Sequence, residues 1–213
     1  VVDSDQRVKE FGMAHNLTEA DEYIPADVAR LMQQTVTPEQ YEELVYKHDD
    51  LWLELTSSGE LIVMPPTGLE TDVRNVNLTL QLGTWAKTDG SGICFGPSGI
   101  FGLPNGARRI PDGAWVRREK WDRLTKDQQA RFGPLCPDFV VELRSRTDRL
   151  PLLRAKMVEY MENGASLGWL IDPFERRVYV YRPDHEVVIL ENPETVSGDL
   201  LLPGFKLRLT ELW

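Results

Sequence analysis

The feature that most constrains this chain is an apolar run interrupted by one acid, Phe139-Val140-Val141-Glu142-Leu143. Cys136 to Leu143 reads as a compact strand, and an ionised side chain inside such a strand is costly unless it meets a cation. Asp138 shares a strand face with Glu142 by the period-two alternation, but four residues at about 3.3 Å each set them roughly 13 Å apart. One ion cannot bridge that gap, so Asp112, following Ile110-Pro111 near a neighbouring strand, is the better companion for Glu142.

A length estimate brings in Lys156. From Glu142 to Ser145 the chain advances about 10 Å as strand, and from Asp148 to Lys156 it returns about 12 Å as helix. Lys156 therefore falls beside Glu142, and it borders the Leu153, Met157, Tyr160 stripe, so its stem faces the sheet. Two acidic oxygen donors with an ammonium alongside describe a site that holds a hard cation, polarises a phosphodiester and orients water. On spacing alone the same residues equally describe a buried structural ion pair, with Asp112 capping a turn after proline, and structural pairs are the commoner arrangement.

The other elements follow from local signals. Thr37-Pro38-Glu39-Gln40 offers a capping box and a proline at the first helical position, predicting a helix that ends near Asp49. Leu51 to Leu55 and Leu61 to Met64 around Ser57-Ser58-Gly59 predict a hairpin. Glu70 to Lys87 reads as a long helix with apolar residues around most of its circumference, and so as largely buried. Ile93–Phe95, Gly99–Leu103 and Arg108–Val116 read as strands, Glu119–Phe132 as one or two short helices. A helix capped by Asp148 and entered through Pro151 ends at Asn163-Gly164. Leu167–Ile171, the hairpin Arg177–Tyr181 with Glu186–Leu190, and a short strand Lys206–Leu209 complete the pattern. Residues 1–36 read as an extension packed loosely on a domain of residues 37–213.

Charge narrows the function. The 213 residues carry a net charge of −10, all of it in residues 1–60, whereas residues 108–156 hold 13 Lys plus Arg against 7 Asp plus Glu. An acidic chain is no generic nucleic-acid coat, yet Arg108, Arg109, Arg117, Arg118, Arg144, Arg146, Arg149 and Arg154 favour the guanidinium fork that suits phosphate oxygens. His15, His48, His185, Cys94 and Cys136 are scattered and show no zinc-ligand spacing. A phosphate loop and a nucleophile elbow are both missing, which weakens ATPase and serine-hydrolase readings. Apolar runs stop after a few residues, so the chain is expected to be soluble, reduced and cytoplasmic, with no membrane partner.

Ile110-Pro111-Asp112 and Pro137-Asp138-Phe139-Val140-Val141-Glu142-Leu143-Arg144-Ser145 resemble the PD-(D/E)XK nuclease superfamily and, more narrowly, its Uma-type restriction-endonuclease family. The likeness continues through Lys156-Met157-Val158-Glu159-Tyr160, Gly168-Trp169-Leu170-Ile171-Asp172-Pro173 and Leu202-Pro203-Gly204-Phe205. It implies an α/β (α+β) restriction-endonuclease-like core, a mixed central β-sheet flanked by helices, with a C-terminal β-hairpin. It further implies Mg²⁺-dependent DNA cleavage, Mn²⁺ being a possible substitute, with Asp112, Glu142 and Glu70 as metal ligands and Asp112, Glu142, Lys156 and Glu70 as catalytic residues. Arg108, Arg109, Arg144, Arg146 and Arg149 would contact DNA, and a homodimer would cut two strands. The superfamily's usual lysine lies two residues after the second acid, where this chain has Arg144; the family supplies it from the next helix, at Lys156. Two further readings are a catalytically silent DNA-binding or scaffold protein on the same fold, and a metal-dependent hydrolase of small phosphodiesters.

Overall fold

A computed structural model describes residues 24–213. Its centre is a six-stranded sheet in the order β10-β9-β8-β7-β6-β3. The strands are β3 (Gly92–Phe95), β6 (Gly113–Arg117), β7 (Phe139–Leu143), β8 (Leu167–Asp172), β9 (Arg177–Tyr181) and β10 (Val188–Glu191). β7 and β8 run parallel and the other neighbours antiparallel, so the sheet is mixed. A parallel pair needs a crossover, which α6 (Leu150–Glu162) supplies.

Helices cover both faces. Phe139, Val141 and Leu143 of β7 pack with Leu78 and Leu82 of α3 (Leu69–Asp89), while Val140 packs with Met157 and Tyr160 of α6. Alternation then turns Glu142, which shares the parity of Val140, toward α6. Gly168 on β8 leaves room for the Met157 and Met161 methyl groups of α6, which a Cβ there would crowd.

A second, antiparallel sheet in the order β2-β1-β5-β4 is built from β1 (Trp52–Leu55), β2 (Leu61–Met64), β4 (Phe101–Gly102) and β5 (Arg108–Arg109). Leu53 and Leu55 join a core with Tyr41 and Leu44 of α2 (Pro38–Lys47). The α2 capping box forms as expected, Thr37 Oγ1 accepting from Gln40 N–H and Gln40 Oε1 from Thr37 N–H. Alternation on β1 sends Glu54 to the opposite face from Leu53 and Leu55, toward the main sheet's end.

Several expectations change. α3 buries only one face, through Arg74, Asn75, Leu78, Leu82 and Ala86, while Leu69, Val73, Val76 and Leu80 stay exposed along another. The expected strand 108–116 is interrupted at Ile110-Pro111-Asp112, because proline has no N–H for a ladder and Asp112 turns its carboxylate back to the chain. Asp148 does not cap α6; its Oδ2 accepts from Ser145 N–H, and Arg149 takes the cap position without a side-chain bond. Residues 1–23 of the expected extension lie outside the described residues, but 24–36 pack closely: α1 (Ala26–Leu31) and the segment after it bury Val28 and Val36 completely against α2 and β1. β11 (Thr195–Ser197), which the sequence did not reveal, pairs with β12 (Lys206–Arg208). Short helices α4 (Arg118–Asp122) and α5 (Lys126–Ala130) occupy the stretch expected for them.

Candidate active site

The two sheets and α6 meet at a buried charge network. Lys156 Nζ lies 2.7 Å from Glu54 Oε1, 2.9 Å from Glu142 Oε1 and 3.2 Å from the Ile110 carbonyl. An ammonium has three N–H groups, so all three have acceptors. Glu54 is nearly saturated: Oε1 also accepts from Ile110 N–H at 2.7 Å, and Oε2 from Arg109 Nη1 at 3.0 Å. Arg109 is fixed in turn by Glu159, whose Oε2 accepts from Nε at 2.6 Å. Glu142 Oε1 takes a second bond from the Tyr160 hydroxyl at 3.1 Å, whereas its Oε2 meets no protein donor among the described residues.

Asp112 stands at the end of β6. The register pairs Gly113 with Val141, and continuing it sets Asp112 opposite Glu142. Asp112 Oδ2 accepts from Leu143 N–H at 2.7 Å, taking the place of a ladder bond, and the Asn75 side chain from α3 lies beside the carboxylate.

The charges are unevenly compensated. Burial would raise the Glu54 carboxyl, but Lys156 and Arg109 together hold it below its usual range, so it is ionised. Burial pushes Glu142 up to about 8: Lys156, which it shares with Glu54, offsets only part of this, and the Asp112 and Glu54 charges add to it. Burial likewise raises Asp112 to about 6. For Lys156, burial works against the charge, yet Glu142 and Glu54 hold the ammonium well above its usual range. Acid thus exceeds base where Glu142 and Asp112 face each other.

That excess fits a divalent cation. No three His, Cys, Asp or Glu side chains converge as a ready-made metal cage among the described residues. Asp112 and Glu142 form instead a two-carboxylate set, and a Mg²⁺-sized hard cation is commonly held by one or two carboxylates while keeping several waters.

The structure brings Asp112, Glu142 and Lys156 together and sets Glu70 elsewhere. Glu70 is exposed at the start of α3, with Oε1 2.7 Å from Arg74 Nη2 and Oε2 3.4 Å from Arg146 Nη2. Of the arginines expected at a DNA surface, Arg109 is only 8 % exposed and is held inside the network by Glu54 and Glu159. Arg108 is mostly covered and lies 3.6 Å from Glu42. Arg144 turns from Glu142 to the buried Asp172, 2.6 Å away, so the ammonium that reaches Glu142 is that of Lys156. Arg146 and Arg149 are exposed.

Glu54, Arg109 and Tyr160 join this network beyond the residues expected from the sequence. The signal for Glu54 was the same as for Glu142, an acid between apolar strand residues in Leu53-Glu54-Leu55. Nothing local marks Tyr160, which reads as one more member of an apolar helix stripe.

A family model described as "Putative restriction endonuclease", Uma2, matches residues 38–210. No curated protein matches the chain. Among solved structures, the chain is similar to one described as a putative nuclease belonging to DUF820 from Anabaena variabilis ATCC 29413, with a TM-score of 0.70 and 19 % identity over 83 % of this chain and 97 % of that one. At that identity the likeness establishes a shared fold.

Proposed function

Because the chain belongs to the Uma2 family, whose model spans residues 38–210, we propose that it is a Mg²⁺-dependent endonuclease that hydrolyses phosphodiester bonds in DNA. The observation that carries this reading is the crowding of Glu142 and Asp112 at one end of the central sheet, with one ammonium among the described residues shared between Glu142 and Glu54. Burial and mutual repulsion make both carboxylates hold a proton more tightly than usual there, and a divalent cation would displace it by supplying the missing positive charge. A bound Mg²⁺ would supply a Lewis acid for the phosphoryl oxygen and lower the pKa of an attacking water.

The protein's own residues set the geometry. Lys156 and the Tyr160 hydroxyl hold Glu142 Oε1, so Oε2 is the oxygen that would meet a ligand. Glu54 and Arg109 fix Lys156 from behind, and Leu143 N–H fixes Asp112. With all three N–H groups bonded, Lys156 acts as a fixed positive charge rather than as a proton acceptor. The reaction adds water oxygen to phosphorus, breaks one P–O ester bond and leaves a proton on the departing oxygen.

Cleavage of supercoiled plasmid at low salt tests the reading, with Mg²⁺, Mn²⁺ or EDTA and with Glu142→Ala as control for contaminating nuclease. The expected result is metal-dependent nicking by the native chain that the variant lacks. Nicking of equal rate by both proteins, or by neither under any metal, overturns the assignment.

A further inference from the structure

Beyond the two-carboxylate set, three arginines, one on α3 and two in the loop after β7, gather around one phenyl ring. The guanidinium carbons of Arg74 on α3, Arg144 after β7 and Arg146 lie 5.8, 5.8 and 5.0 Å from the centre of the Phe174 ring, which follows β8. An aromatic face attracts cations without neutralising them, so like charges are held together with their charge intact. Among the described residues only Glu70 and Asp172 form ion pairs with the three.

The donors are incompletely used. Arg74 is 8 % exposed; its Nε donates to the Leu212 carbonyl and Nη2 to Glu70, but the covered Nη1 has no acceptor among the described residues. The covered Nε of Arg144 has none either. Among the described residues Arg108 Nε, outside the cluster, is likewise covered and unpaired, whereas the equally buried Arg109 leaves no covered nitrogen unpaired. Covered guanidinium donors without acceptors leave the charge of Arg74 and Arg144 under-compensated, which favours an oxygen-rich anion at the accessible edge of the cluster.

Position ties the cluster to the carboxylates. Arg144 follows Leu143, whose N–H binds Asp112, and Arg74 precedes Asn75, whose side chain lies beside Asp112. Both Arg144 and Phe174 stand just past the ends of the parallel strands β7 and β8, the edge at which α/β sheets receive ligands.

We propose that Arg74, Arg144 and Arg146 around Phe174 form a phosphate subsite that grips the nucleic-acid backbone next to the bond facing Asp112 and Glu142, with Glu70 holding the place of the phosphate until it binds. The link to a cleaved bond rests on the nuclease reading; the grip on a backbone phosphate does not. Glu70 bridges Arg74 and Arg146 from the surface, so an incoming phosphate exchanges one set of oxygens for another at the same guanidinium groups.

The test is fluorescence anisotropy of a labelled duplex of about 20 base pairs in EDTA, over chloride from about 50 to 200 mM, so that binding is read without cleavage. Arg144 also compensates the buried Asp172, so the exposed positions Arg146 and Glu70 carry the test and Arg177, half-buried and paired with Glu191, is the charge control. Arg146→Gln is expected to weaken binding about three- to tenfold with a salt slope shallower by about one, Arg177→Gln to stay within about twofold of native, and Glu70→Gln to tighten binding severalfold. Arg146→Gln binding no worse than Arg177→Gln, or Glu70→Gln without effect, overturns the subsite even if the protein cuts DNA. Arg146-dependent binding in a protein that never cuts supports the subsite and overturns the nuclease reading alone.

Discussion

Two buried carboxylates flank the middle of strand β7, Asp138 immediately before it and Glu142 near its end, and they live in opposite surroundings. Asp138, 6 % exposed, has more partners than it needs: Arg117 N–H donates to Oδ2 at 2.9 Å, and Lys120 and the Arg117 side chain lie 3.5 and 3.7 Å from Oδ1. Among the described residues no second carboxylate forms an ion pair with Lys120 or Arg117. Glu142, 3 % exposed, shares its one ammonium with Glu54 and faces Asp112. A buried acid with surplus cations is a strut, whereas a buried acid short of cations stores an unmet demand for positive charge. Burial or a nearby lysine does not distinguish the two; the local balance of charge does.

Removing Lys156 should separate the two ends most sharply. Lys156→Met leaves Glu54 and Glu142 without their shared cation, and breaking one partner out of such a buried set costs about 3–5 kcal/mol. Cleavage should fall by about 10²–10³-fold per folded molecule, read by plasmid nicking alongside chemical denaturation. A variant that loses stability but cuts at the native rate would make Lys156 a strut as well.

Asp138→Asn is the converse. It weakens a hydrogen-bonded cap and should cost about 1–3 kcal/mol in denaturant unfolding, while cleavage per folded molecule stays near native. Loss of cleavage beyond the loss of folded protein would erase the contrast between the ends.

The smallest effect is one of pH. Glu142, raised by burial to about 8 from an ordinary 4.5, binds its proton more tightly folded than unfolded. Its contribution to stability is complete below the unfolded value and is lost as pH rises through about 8. Glu142→Gln carries no such charge, so its melting temperature should gain on the native protein between pH 5 and pH 8, by about 3–6 °C if the relief is about 1–2 kcal/mol. A gap that stays constant or shrinks with rising pH would show that Glu142 is adequately compensated.

How much of this was legible in the sequence depended on whether the signal was local. The Thr37–Gln40 capping box, the β1–β2 hairpin and the β7–α6–β8 unit were readable because turn chemistry and periodicity act over a few residues. The pairing of Glu142 with Lys156 followed from element lengths alone, since strand and helix rises are fixed. Glu54 was missed because its partner Lys156 lies about a hundred residues away, across a contact between two sheets that no spacing encodes. α3 was misjudged because apolar residues all round a helix do not reveal which face the sheet covers; Val73, Val76 and Leu80 remain in solvent. Arg109 and Arg146 look alike in sequence, yet one is locked between two glutamates and the other is exposed.

The most direct test of the account is calorimetric titration of Mn²⁺ into the native protein, Glu142→Gln and Asp138→Asn at pH 6 and pH 8. Asp112 and Glu142, at about 6 and about 8, must give up protons to a cation, so the native protein should bind more tightly at pH 8 than at pH 6. Asp138→Asn should bind as the native protein does, and Glu142→Gln should lose the site. Equal binding by native protein and Glu142→Gln, or affinity indifferent to pH, would contradict the claim that this end of the sheet is built to hold a metal ion.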